Sequence, residues 1–180
     1  MYDLKQQSMG DLPETKVHER ADGVLLADDR PLRHRFVLSE EAVPLAGAVV
    51  ARDKLKGMVV RRTDGLLRIA YRVTGLFPDT WSGRHVTYTR PRCDGGTLTV
   101  ELASDENLFG RSQTVSGAGR SVTFDPSHNG TLTVPLQPRE GTCRVVFTVT
   151  PTAVPALTVK GSADTRVLGA HFLAFRYSAP

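Results

Sequence analysis

Residues 93–103 read CDGGTLTVELA, and the alternation inside them decides the fold. Leu98, Val100 and Leu102 fall on one side of an extended chain; Thr97, Thr99 and Glu101 fall on the other. A period of two with one apolar side is the pattern of a strand that buries one face and wets the other. Asp94-Gly95-Gly96 in front of it is turn chemistry. The same signature repeats outward. RHVTYTR (84–90) lies upstream; RSVTF (120–124), GTLTVPL (130–136), TCRVVFTVT (142–150) and ALTVK (156–160) follow downstream. DPSHNG, QPREG and TPTAVP punctuate the last three. The final run, RVLGAHFLAFRYS (166–178), is less regular because Phe172 and Leu173 are adjacent, and Gly169 predicts a bulge or a close backbone approach.

Further toward the N-terminus, GMVVRR (57–62) and LLRIAYRVTGLF (66–77) flank Thr63-Asp64-Gly65, and Asp-Gly predicts a hairpin between them. In the second run Leu67, Ile69, Tyr71 and Val73 share a face opposite Arg68, Ala70 and Arg72. Ser39-Glu40-Glu41-Ala42 has the cap and the carboxylates of a helix start, with Pro44 limiting it to about one turn. Residues 1–20 lack a clean period and read as a leader or a strap. About nine or ten short strands with turns every eight to twelve residues predict an all-β, two-sheet antiparallel β-sandwich. The long connection 103–119 predicts Greek-key crossings and hence a jelly-roll-like topology. With no repeat, low-complexity tract or linker, residues 1–180 read as a single domain whose two sheets lie between Gly57 and Tyr177.

Hydrophobic residues make up 40% of the chain and charged residues 23%, ordinary values for a globular protein. No run of about 18 apolar residues is present, and no basic-then-apolar signal opens the chain. Work outside the cytoplasm therefore calls for another part of a longer protein to carry the domain there. The net charge is +4 and the isoelectric point about 9.3. The basic residues are scattered, however, at Arg61-Arg62, Arg84, Arg90, Arg92, Arg111, Arg120 and Arg144. A nucleic-acid binder concentrates them on one element, so no nucleic-acid partner is expected. A weak attraction to anionic glycans or lipid headgroups stays open.

None of the familiar nucleophile, phosphate-loop or metalloprotease motifs occurs. The five histidines, His18, His34, His85, His128 and His171, are isolated from one another. The carboxylate pairs Asp28-Asp29, Glu40-Glu41 and Asp105-Glu106 sit side by side, whereas glycoside chemistry needs carboxyls facing each other across a bond. No catalytic set is expected and the chain does not read as an enzyme. Oxygen-rich loops around Asp94, Asp105 and Asp164 leave a structural calcium open, without EF-hand spacing to organise it; no other cofactor is expected. Cys93 and Cys143 would be core thiols in a reducing compartment and a bridge in an oxidising one; their places beside strand-like segments favour the bridge. The sole tryptophan, Trp81, lies in the polar stretch FPDTWSGRH (77–85). An indole there offers a plane for the CH face of a sugar, with Arg84, His85, Asp105 and Asn107 supplying contacts at its edge. The plainer reading is that Trp81 plugs one end of the sandwich.

Three longer stretches, CDGGTLTVELASDENLF (93–109), LTVPLQPREGTCRVVFTVTPTAVP (132–155) and SADTRVLGAHFLAFRY (162–177), carry a family resemblance. Over residues 80–178 the chain resembles a soluble β-sandwich module of actinobacterial membrane glycosyltransferases. These are polyprenyl-phosphate-dependent cell-wall enzymes whose extracytoplasmic modules are similar to carbohydrate-binding domains. The sharpest match is Asp164-Thr165-Arg166-Val167-Leu168-Gly169, followed by Phe172 and Phe175, in which the pair Asp164 and Arg166 is implied to be structural. The acidic catalytic residues of such enzymes belong to their membrane part, and no segment here matches them. The resemblance thus implies an extracytoplasmic accessory module whose partners are a cell-envelope polysaccharide and the membrane-embedded remainder of a parent protein. A structural or protein-interaction domain without a glycan ligand is the alternative.

Overall fold

The computed structural model describes residues 17–180. They fall into two compact units that divide after Arg72, where the sequence suggested one domain over 1–180. Most of the expected leader, residues 1–16, lies outside the described residues.

The first unit holds two three-stranded sheets. β1 (Val17–Glu19), β2 (Leu25–Ala27) and β3 (Arg30–Pro31) form one; β4 (Phe36–Glu40), β5 (Ala48–Asp53) and β6 (Met58–Arg62) form the other in the order β4-β6-β5. Val17–Glu19, within the expected strap, is therefore a paired strand. The helix expected at 39–42 does not form. Ser39 lies within β4 and is buried, and its Oγ accepts a bond of 2.6 Å from the buried Arg61 guanidinium, whose other terminal nitrogen donates to the Glu41 carbonyl. Pairing β4 with β6 satisfies more backbone than one helical turn, and a buried cation needs those oxygens.

The hairpin expected at Asp64-Gly65 is absent too. β6 turns back on β5 instead, through residues 54–57, where Asp53 accepts from the amides of Leu55 and Lys56 and Gly57 takes φ +64°. Residues 67–69 are held by segments far away in sequence: Leu67 exchanges backbone bonds with Leu25 and Leu32, and Ile69 donates to Gly23. Leu67 and Ile69 do face inward, packed with Leu25, Leu32 and Leu45. The period was informative there and the partner was not.

The second unit is an antiparallel β-sandwich. One sheet has the order β11-β10-β14-β8-β7, with β7 Arg72–Leu76, β8 Ser82–Pro91, β10 Gln113–Gly117, β11 Arg120–Phe124 and β14 Thr142–Thr150; the short β13 (Pro138–Arg139) also pairs β14. The other has the order β12-β9-β15, with β9 Gly96–Ala103, β12 Gly130–Leu136 and β15 His171–Ser178. The chain changes sheet between β8 and β9, β9 and β10, β11 and β12, β12 and β13, and β14 and β15, the Greek-key pattern of jelly-roll-like folds. The core lies between the sheets: Val86, Tyr88, Leu98, Val100, Val134 and Phe147 are all fully buried. Burying side chains of this size is worth about 1.5–3 kcal/mol each, which is what specifies the register of each strand.

Two expectations are corrected here. The connection 103–119 contains β10, hairpinned to β11. ALTVK is not a strand: Pro155–Thr158 forms a single helical turn, α1, with Pro155 at its first position, where a missing N–H costs nothing. Gly169 does mark a close approach, since a Cβ there would meet Ser82 Oγ at 2.5 Å and the Gly83 carbonyl at 2.8 Å. The bulge itself falls between Phe172 and Ala174, which leaves Phe172 buried and Leu173 half exposed. Cys93 and Cys143 form a disulfide joining the end of β8 to the start of β14.

Candidate functional site

The β7–β8 hairpin turns through Pro78, Asp79 and Thr80. Pro78 presets its own φ for the turn, the Thr80 amide donates to the Phe77 carbonyl at 3.0 Å, and the Phe77 amide donates to Trp81 at 2.8 Å. Thr80 takes φ +67°, a left-handed conformation that costs a β-branched residue strain. The hairpin is docked to the start of β15. Trp81 bridges His171, the Phe172 amide donates to Thr80, and the fully buried Ser82 exchanges backbone bonds with Gly169 and Ala170. The Ser82 hydroxyl accepts a third bond, from the Ala170 amide at 3.0 Å.

That docking sets the aromatic geometry. The rings of Trp81 and His171 stack with centroids 3.7 Å apart and planes tilted by 36°, and Phe109 approaches the indole at 6.4 Å. Trp81 and Phe77 pack against a small cluster of Leu108, Phe109 and Leu168. The indole is accordingly half-buried. Thr80 Oγ1 lies 2.9 Å from His171 Nδ1. Burial pushes the His171 imidazole below its ordinary value of 6.5, against the smaller opposing pull of Asp79 and Asp105.

Around this aromatic group stands a charged rim. Arg166 grips Asp164 through Nε and Nη2 and Asp79 through Nη1 and Nη2, at 2.7–3.2 Å, with its guanidinium 4.8 Å above the Phe77 ring. Those bonds hold both carboxyls below the usual range and raise Arg166. Asp105 accepts from the backbone and side-chain amides of Asn107 at 2.8 and 3.0 Å. Its backbone carbonyl accepts from the amides of Leu108 and Phe109, which brings both side chains under the indole.

Of the five expected contact residues, Trp81, Asp105 and Asn107 fall in this region, and Asp105 acts electrostatically on His171. Arg84 and His85 lie exposed further along β8, and the His85 ring faces Thr148 of β14 at 3.4 Å. The sequence did not assign His171, Asp79, Thr80 or Phe109 to this region. The Asp–Arg spacing at 164–166 was the visible signal, since a carboxylate–guanidinium pair beside a turn invites a second acid. The three calcium candidates do not converge. Asp94 lies past the far end of β8, a ten-residue strand spanning about 30 Å, and Asp164 is occupied by Arg166. Among the described residues no group of three His, Cys, Asp or Glu is placed to hold a metal ion.

No family model matches the chain, and no curated protein matches it significantly. Among solved structures it is similar to a family 35 carbohydrate binding module from an environmental isolate. That match has 14% identity over 80% of this chain and 98% of the other, with a TM-score of 0.26. So slight a likeness carries no argument, and the fold rests on the strands and their pairing.

Proposed function

We propose that this chain is a noncatalytic glycan-binding module whose contact surface centres on Trp81. The observation behind this is an indole fixed from behind by His171 and Phe109, with hydrogen-bonding groups of Asp79, Thr80, Asp105 and Asn107 around it. A ring already held in place loses little freedom when a sugar stacks on it, and the rim supplies directional bonds to hydroxyls. We place the module outside the cytoplasm, as an accessory to a membrane-bound cell-envelope glycosyltransferase. The resemblance over residues 80–178 supports that setting, and the disulfide fits an oxidising compartment.

The test is calorimetric titration of the chain with arabinogalactan-derived oligosaccharides. Removing the stacking ring in Trp81→Ala is expected to cost about 1–2 kcal/mol, a roughly five- to thirtyfold loss of affinity, while Trp81→Phe retains most of it. Equal affinity in wild type and Trp81→Ala moves the site elsewhere. No heat at about millimolar glycan leaves the structural or protein-interaction reading in place.

A further inference from the structure

The long edge of β14 that faces away from β8 is only partly covered. On that edge β13 pairs residues 142–143 and β10 covers residues 147–150, with Gly117 against Phe147, so the stretch 144–146 has no strand beside it there. The gap between the turn at Ala118 and β13 opens as a cleft of about 500 Å³, and a second hollow of about 410 Å³ adjoins it at Val146. Arg120, Arg139 and Arg144 line the two hollows, and no Asp or Glu does. All three arginines are exposed and none makes an ion pair among the described residues. Glu140, next to Arg139 in its turn, lies outside the lining.

The remainder of the lining is mildly apolar and rich in uncharged hydrogen-bonding groups. Pro135 and the 46%-exposed Val146 offer a CH-compatible surface, and Gln137 and Thr142 offer an amide and a hydroxyl. A guanidinium fork matches the paired oxygens of a carboxylate or phosphate and is weakly hydrated, so little is lost when an anion displaces its water. Nucleic acid is disfavoured because single strands are held by stacking aromatics and the lining contains none. We infer that this arginine-lined cleft binds an acidic polysaccharide, the guanidinium groups taking its anionic groups and the uncharged groups its hydroxyls. The cleft stands apart from Trp81: Arg139 and Thr142 lie at the disulfide end of β14, whereas Trp81 lies beside the start of β15.

The test compares binding of the full chain to polygalacturonate and to its methyl ester, which keeps the backbone and removes the charge. Polygalacturonate is expected to bind, with affinity falling as salt rises, and the ester is expected not to. The triple variant Arg120→Gln/Arg139→Gln/Arg144→Gln should lose at least about tenfold in affinity with its circular dichroism unchanged. The control triple Arg30→Gln/Arg33→Gln/Arg35→Gln and the single variant Trp81→Ala should both keep it, which separates this site from the Trp81 surface. The inference is overturned if polygalacturonate does not bind, if the ester binds as well, or if both triples weaken binding alike. Equal binding of a deoxythymidine oligonucleotide also overturns it, since the surface would then read charge alone.

Discussion

His171 sits under two opposing influences. Burial favours the neutral imidazole; the carboxylates of Asp79 and Asp105 favour the charged one, and burial is the larger. A base whose folded pKa is depressed contributes stability that is fully present above its unfolded value, and that stability is lost as pH falls through the folded value. The unfolded value is about 6.5, so the loss begins as pH drops below it. Proton NMR of the His171 ring is expected to give a midpoint below 6.5, and His171→Gln to flatten the fall in thermal midpoint between about pH 7 and pH 5. A His171 midpoint above 6.5 would show that the carboxylates dominate. Below this window a second loss follows as Asp79 and Asp164, both depressed by Arg166, take up protons beneath their ordinary value of 3.8.

Among the elements, the pairing of β8 with β14 organises the second unit, running from Pro91 opposite Thr142 to His85 opposite Thr148. The disulfide fastens one end of that pair and closes a 50-residue separation. In the chain-entropy model such a loop contributes about 4 kcal/mol. The double variant Cys93→Ala/Cys143→Ala is therefore expected to unfold at markedly lower urea, with a steeper denaturant slope because the unbridged chain is less compact when unfolded, and with unchanged glycan affinity. An unmoved midpoint would contradict it. Strands of this kind were legible because one face is buried without interruption: GTLTVELA and TCRVVFTVT match β9 and β14 end to end. ALTVK misled because its β-branched residues favour strands, while Pro155 and the bond from the Ala156 amide to the Asp164 carbonyl impose a helical turn. The hairpin at Asp64-Gly65 misled because a turn signal does not say which strand returns. Asp64 is instead paired with Arg68, and the true β5–β6 turn uses Asp53 and Gly57 without an Asp-Gly dipeptide.

At the scale of the whole molecule, strand alternation revealed a sandwich and could not reveal that residues 17–72 gather as a separate unit. Its small core joins Leu67 and Ile69, whose alternating run does not name its partners, to Val17, Leu25, Leu32 and Leu45 from segments with little alternation. The candidate site was legible only in part for a similar reason. Trp81, Asp105 and Asn107 stand out in polar loops, whereas His171 and Arg166 join them through a pairing some 90 residues away in sequence. Arg84 and His85 were attached to the site by adjacency, which an extended strand does not turn into proximity. Because Trp81 is the sole tryptophan, its emission reports on the proposed contact surface and on nothing else. The most direct measurement is therefore indole fluorescence of the full chain titrated with arabinogalactan-derived oligosaccharides to about millimolar concentration. A saturable change in emission, with the same midpoint as the calorimetric heat, is the result expected for a sugar stacked at Trp81. Saturating heat with unchanged emission would place the glycan elsewhere, and the absence of both signals would contradict glycan binding by this chain.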